Sequence, residues 1–165
     1  MEYKAEIRKI PEHIIYFSEY FVEDMNDFFH ALAEKNFLQE LSDKVMLENQ
    51  EIQLTDPDYN VILYMNGEYR ERNVQIEFCD AVTDFGKDTK EYRFRTVPAF
   101  TALNVLHKGP YKKLSEAYAF ADQWMAENGY RKAGNPRNST IDGCWNRDSE
   151  DDYLTEIQIP VEKTS

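Results

Sequence analysis

The sequence predicts an α+β domain: a duplicated β-β-α-β-β (strand–helix–strand–strand) unit whose two copies join edge to edge or face to face and leave a central groove. Three observations carry this. The order strand, strand, helix, strand, strand occurs twice. Three short pieces recur in the same order, Ile7-Arg8-Lys9-Ile10-Pro11 with Phe94-Arg95-Thr96-Val97-Pro98, Asp56-Pro57 with Asn135-Pro136, and Gln75-Ile76-Glu77-Phe78 with Glu156-Ile157-Gln158-Ile159. One such match is easy by chance, but three in order argue for internal duplication. Finally, His107 to Gly129 reads as an amphipathic helix with a strand entering it from each side. The repeats are expected over about residues 1–82 and 90–161 of a single domain.

Residues 3–10 alternate apolar and polar, as a half-buried strand does, and Pro11 breaks them. Ile14 to Phe21 follows as a second strand. Met25, Phe28, Phe29 and Leu32 keep helical spacing behind the acids Glu23 and Asp24. Phe37, Leu38, Leu41, Val45 and Met46 fit a continued helix broken near Asn36, but residues 35–53 stay unassigned. Asp56-Pro57-Asp58 reads as a turn, Val61 to Met65 as an apolar strand, Asn66-Gly67 as a turn and Val74 to Phe78 as an alternating strand. A polar loop, 83–90, divides the chain. Tyr92 to Val97 and Phe100 to Leu106 are strands parted by Pro98.

In the central helix Leu114, Ala117, Tyr118, Ala121, Trp124 and Met125 make one apolar stripe, and Gly129 stands where a left-handed cap belongs. Asn135-Pro136 and Asp142-Gly143 are turns around a short strand, Ser139 to Ile141. Leu154 to Val161 is the last alternating strand.

The chain has 165 residues and a net charge of −12, which disfavours direct contact with nucleic acid or an anionic membrane. The two cysteines lack metal or redox spacing and His13, His30 and His107 are scattered, so neither a metal nor another cofactor is called for. No secretory core or membrane span stands out, so the expected location is cytoplasmic. The 11 Tyr, 10 Phe and 2 Trp exceed what a small core readily hides, so some rings are expected on a pocket or a partner surface.

His107-Lys108-Gly109-Pro110-Tyr111, the helix to Trp124, Glu127-Asn128-Gly129-Tyr130, Asn135-Pro136-Arg137, Ile141-Asp142-Gly143, Trp145-Asn146 and Leu154 to Val161 together resemble the GyrI-like small-molecule-binding domain. That domain serves AraC- and MerR-type bacterial transcription regulators as effector domain and also stands alone. The likeness is close over about 90–161 and architectural before that, and the fold it implies is the duplicated unit with its strands in a curved antiparallel sheet and helices beside it. In multidrug-binding members an aromatic pocket with buried glutamates takes lipophilic cations. The resemblance implies that Glu156 matches one of these, while Asn138 stands where the other would be and Thr140 where a ring is common. An amide keeps hydrogen bonds but not charge, which loosens the demand for a cation.

The expected function is therefore binding of a small, aromatic or lipophilic ligand, a cation being one option, by an effector domain that stands alone or is part of a regulator, with Glu156, Trp145, Tyr64, Tyr111, Asn138 and Tyr153 as candidate binding residues. Tyr118 and Trp124 belong to the helix stripe and read as core. No catalytic residue is assigned. Two alternatives stay open: a protein–protein inhibitor of the gyrase-inhibitor type, and a hydrolase using Glu156 with a tyrosine. A protein partner or a homodimer is also left open.

Overall fold

The computed structural model describes residues 3–56 and 60–164; Pro57 and Asp58 of the expected turn lie outside them. Twelve elements organise these residues. The strands are β1 (Ala5–Ile10), β2 (His13–Asp24), β3 (Val61–Tyr64), β4 (Arg72–Val82), β5 (Arg93–Val97), β6 (Phe100–Lys108), β7 (Tyr130–Lys132), β8 (Arg137–Asp142) and β9 (Leu154–Lys163). The helices are α1 (Met25–Glu34), α2 (Phe37–Glu48) and α3 (Leu114–Asn128).

Eight strands pair in the order β1-β6-β9-β8-β3-β4-β2-β5, curling into an antiparallel half-barrel, and β7 pairs with the far end of β9. The order reads symmetrically from its centre. β3 and β8 meet there, with Ile62 opposite Asn138 and Leu63 opposite Arg137. On each side follow the last strand of a half and then its second. The outermost strands are exchanged: β1 lies beside β6 of the second half, and β5 beside β2 of the first. The duplicated peptides at 7–11 and 94–98 are thus equivalent edge strands.

The residues that sequence left open form α2. Asn36 caps it, its side-chain oxygen accepting from the Gln39 amide at 3.1 Å. Lys35 is extended (φ −145°), which parts α2 from α1. Asp24 caps α1 in the same way, through the Asn26 amide at 2.8 Å. Gly129 ends α3 with φ 73°, a conformation a side chain resists.

All three helices cover one sheet face. Two cores result, one under α1 and α2 around Phe29, Val45, Ile76 and Phe78, the other under α3 around Leu103, Tyr118, Ile157 and Ile159. Tyr69 and Tyr111, both partly buried, pack against both. The opposite face buries a smaller patch with Phe17 and Cys79. Beside it Arg95 lies 4.3 Å over the Phe17 ring and pairs with the buried Glu77 at 2.6 Å.

His107, 1% exposed, is held as a neutral ring: Nε2 donates to the Pro110 carbonyl (3.1 Å) and Nδ1 accepts from the Tyr3 hydroxyl (2.9 Å). Burial lowers its pKa from the usual value near 6.5, and the same holds for His13. A depressed value means that the unfolded chain binds protons first. Folding stability is therefore full above about pH 6.5 and declines as pH falls from there towards the folded-state value. Urea titrations between pH 7.5 and 5.5 should show this decline, and His107→Gln should remove the share of it that is due to His107, leaving that of His13.

Candidate functional site

β4 alternates Val74, Ile76, Phe78, Asp80 and Val82 onto the helix-covered face, so one carboxyl group enters an apolar row. Asp80 is 1% exposed, and the Tyr16 hydroxyl donates to its Oδ2. It forms part of the lining of a hollow of about 450 Å³ between α1, α2, β3, β4 and the end of β8. Phe29, Leu32, Phe78, Tyr111 and Trp145 supply its apolar walls, and Gln39, Ser42 and Asn60 its polar edge. This volume lies in the range of ordinary small-molecule sites.

Trp145 closes one side although it is 52% exposed. The preceding turn fixes it: the Gly143 amide donates to Asn146 Oδ1 (2.9 Å), and Asn146 Nδ2 donates to Asp142 Oδ1 (2.8 Å). The indole lies so close over Gly143 that a methyl group there would collide with the ring, which is why this position is glycine. Tyr111 stacks on Phe29 with centroids 4.1 Å apart and planes 22° apart. Burial raises the Tyr111 pKa, with a hydrogen bond to the Thr140 side chain opposing the rise.

The six residues predicted from sequence separate into three groups. Trp145 and Tyr111 line the hollow. Tyr111 also lines an adjoining smaller hollow, together with Tyr153, whose ring lies 5.3 Å away. Tyr64 and Asn138 belong to the closed seam between the halves. There Asn138 Nδ2 donates to the Tyr64 hydroxyl (2.7 Å), and the Tyr118 hydroxyl donates to Asn138 Oδ1 (2.5 Å). Tyr69 lies parallel on Tyr118 at 4.2 Å and meets Tyr64 edge-on. Burial raises the pKa of both Tyr64 and Tyr118, so these phenols keep their protons at neutral pH.

Glu156 forms the third group. Its neighbours Ile157 and Ile159 face α3, so alternation turns Glu156 to the other face of β9. There Asn104 Nδ2 donates to it, and the Arg8 guanidinium lies 3.6 Å away. The buried carboxyl group at the hollow is that of Asp80, a residue not singled out by sequence reasoning. Its signal was present, as an acid occupying an apolar slot in an alternating run.

With this geometry established, comparison with known proteins gives a consistent result. The family described as the GyrI-like small molecule binding domain matches residues 12–162. The crystal structure of the EcmrR C-terminal domain superposes with a TM-score of 0.89 and 41% identity, covering 99% of this chain and 100% of that one. EcmrR in its complex with DNA gives a TM-score of 0.87 at 41% identity, covering 98% of this chain; the chain spans 58% of the length of that regulator. SAV2435 bound to tetraphenylphosphonium is similar in fold (TM-score 0.62, 15% identity, 98% of this chain and 94% of that one). No significant match was found among curated protein sequences. Among the described residues no helix is long and apolar enough to cross a membrane.

Proposed function

The chain belongs to the GyrI-like small molecule binding domain family, and on that premise we propose that it is a ligand-sensing domain whose hollow takes a lipophilic aromatic cation against Asp80. The observation that carries this reading is the placement of a carboxyl group, 1% exposed, beside a hollow walled by Phe29, Phe78, Tyr111 and Trp145. Ring faces attract a cation through their quadrupoles, and a carboxylate shielded from water attracts it through a field that solvent hardly screens. The two together reward positive charge combined with apolar area.

The likeness to EcmrR supports a role as the effector part of a MerR-type regulator, with ligand occupancy biasing a DNA-binding part. The net charge of −12 supports assigning the DNA contacts to that other part. The hydrolytic alternative that rests on Glu156 would need that carboxylate to face bound substrate. The engagement of Glu156 with Asn104 and Arg8, across the sheet from the hollow, supports a structural role for that acid instead.

The test is a pair of probes of similar shape and different charge, tetraphenylphosphonium and triphenylphosphine oxide, titrated calorimetrically. The cation should bind at least tenfold more tightly. Equal affinities would remove the electrostatic part of the reading, and binding of neither would remove the ligand class.

A further inference from the structure

We infer that the stacked pair of Phe29 and Tyr111 is a movable partition between two compartments of one site, and that it sets the length of ligand the domain accepts. The inference rests on the binding reading above and deepens it. Beside the larger hollow lies a second, of about 240 Å³, reaching towards Pro110, Cys144 and Tyr153. Both hollows are lined by Phe29, Leu32 and Tyr111, so the wall of one is the wall of the other.

The two rings of that wall are anchored unequally. Phe29 is buried in the middle of α1, with the Phe28 ring edge-on at 5.9 Å. Tyr111 stands on a single three-residue turn, Tyr111–Lys113, and is only half-buried. Gly109, at φ 130°, joins this turn to β6, and its amide donates to the Tyr153 carbonyl at 2.8 Å. Tyr111 is therefore the ring that moves, by rotation about its own side-chain bonds, because Pro110 and its hydrogen-bonded carbonyl hold the backbone behind it.

At 4.1 Å the pair is in direct contact, so a ligand that reaches from one compartment into the other has to part the rings and forfeit that stack. The Tyr111 phenol gives up its hydrogen bond with Thr140 on moving, but water at the mouth can replace that partner. The ligand class that uses both compartments is an elongated molecule with a cationic aromatic head beside Asp80 and a second ring system against Tyr153. A short cation fills the first compartment and leaves the partition shut.

The test compares N-ethylquinolinium with the same ring joined through a polymethylene chain to an uncharged quinoline. Both are titrated calorimetrically into wild type, Tyr111→Ala and Phe29→Leu, each checked for folding by thermal melting. In wild type the long probe should bind one per chain. Tyr111→Ala, with the partition gone, should raise the ratio of long-probe to short-probe affinity about tenfold. Phe29→Leu should raise it less, and it keeps the test open if the alanine variant does not fold. A ratio unchanged or lowered in the folded variants overturns the partition while leaving the binding reading intact. Wild type that takes up neither probe overturns both.

Discussion

Asp80→Asn should weaken binding of tetraphenylphosphonium about a hundredfold while leaving triphenylphosphine oxide within about twofold of wild type. At a separation of about 5 Å and an effective dielectric near 20, the attraction between a carboxylate and a unit cation is ~3 kcal/mol, and the surrounding rings are untouched by the change. Asparagine keeps an acceptor oxygen for the Tyr16 hydroxyl and nearly the same volume, so the floor of the hollow stays in place. The loss should persist at high salt, because mobile ions do not enter the space between the partners. Glu156→Gln, by contrast, should leave both affinities unchanged, since that side chain meets Arg8 and Asn104 on the opposite face. A parallel loss of both probes in Asp80→Asn would make Asp80 a structural residue. Undiminished cation affinity would move the charge contact elsewhere.

How far the sequence reveals this site depends on what each signal can encode. The strand–helix–strand–strand order and the equivalence of 7–11 with 94–98 were legible because hydrophobic period and proline breaks are local properties. The exchange of β1 and β5 between halves was not, since pairing across long sequence separation leaves no local mark. Trp145 was legible as a large ring in a polar stretch after Asp142-Gly143, and the structure gives the reason for that glycine. Glu156 illustrates the limit. Alternation correctly groups Leu154, Glu156 and Gln158 on one face, but a curled sheet buries polar groups on both faces, Glu77, Asn104 and Gln158 on one and Asp80 and Asn138 on the other. Burial alone therefore does not tell which face meets a ligand. Asp80 escapes notice because the alternation reads as ending at Phe78, two residues before the acid that breaks the apolar pattern.

Asn138→Ala should be strongly damaging to the fold, at ~3 kcal/mol, or a fall in melting temperature of about 10 °C for a chain of this size. Asn138 is 2% exposed at the meeting of β3 and β8, and its amide serves two buried phenols at once, giving a hydrogen to Tyr64 and receiving one from Tyr118. Truncation strips both hydroxyls of that partner and leaves a small void where the halves join. Each stranded polar group costs about 1–3 kcal/mol, and the lost packing adds to that. The backbone bonds across the seam, such as that from the Tyr64 amide to the Pro136 carbonyl at 3.0 Å, stay in place, so the two phenols feel the loss of the amide directly and the effect should be strongly coupled. Tyr64→Phe alone should cost ~1 kcal/mol, and in the double variant with Asn138→Ala it should cost much less, because the orphaned hydroxyl is removed with its ring retained. Urea denaturation of the four proteins of this cycle measures the coupling. Costs that simply add would mean that the amide and the phenol act independently, and that the seam is held by ring packing around Tyr69 and Tyr118 rather than by this hydrogen-bonded bridge.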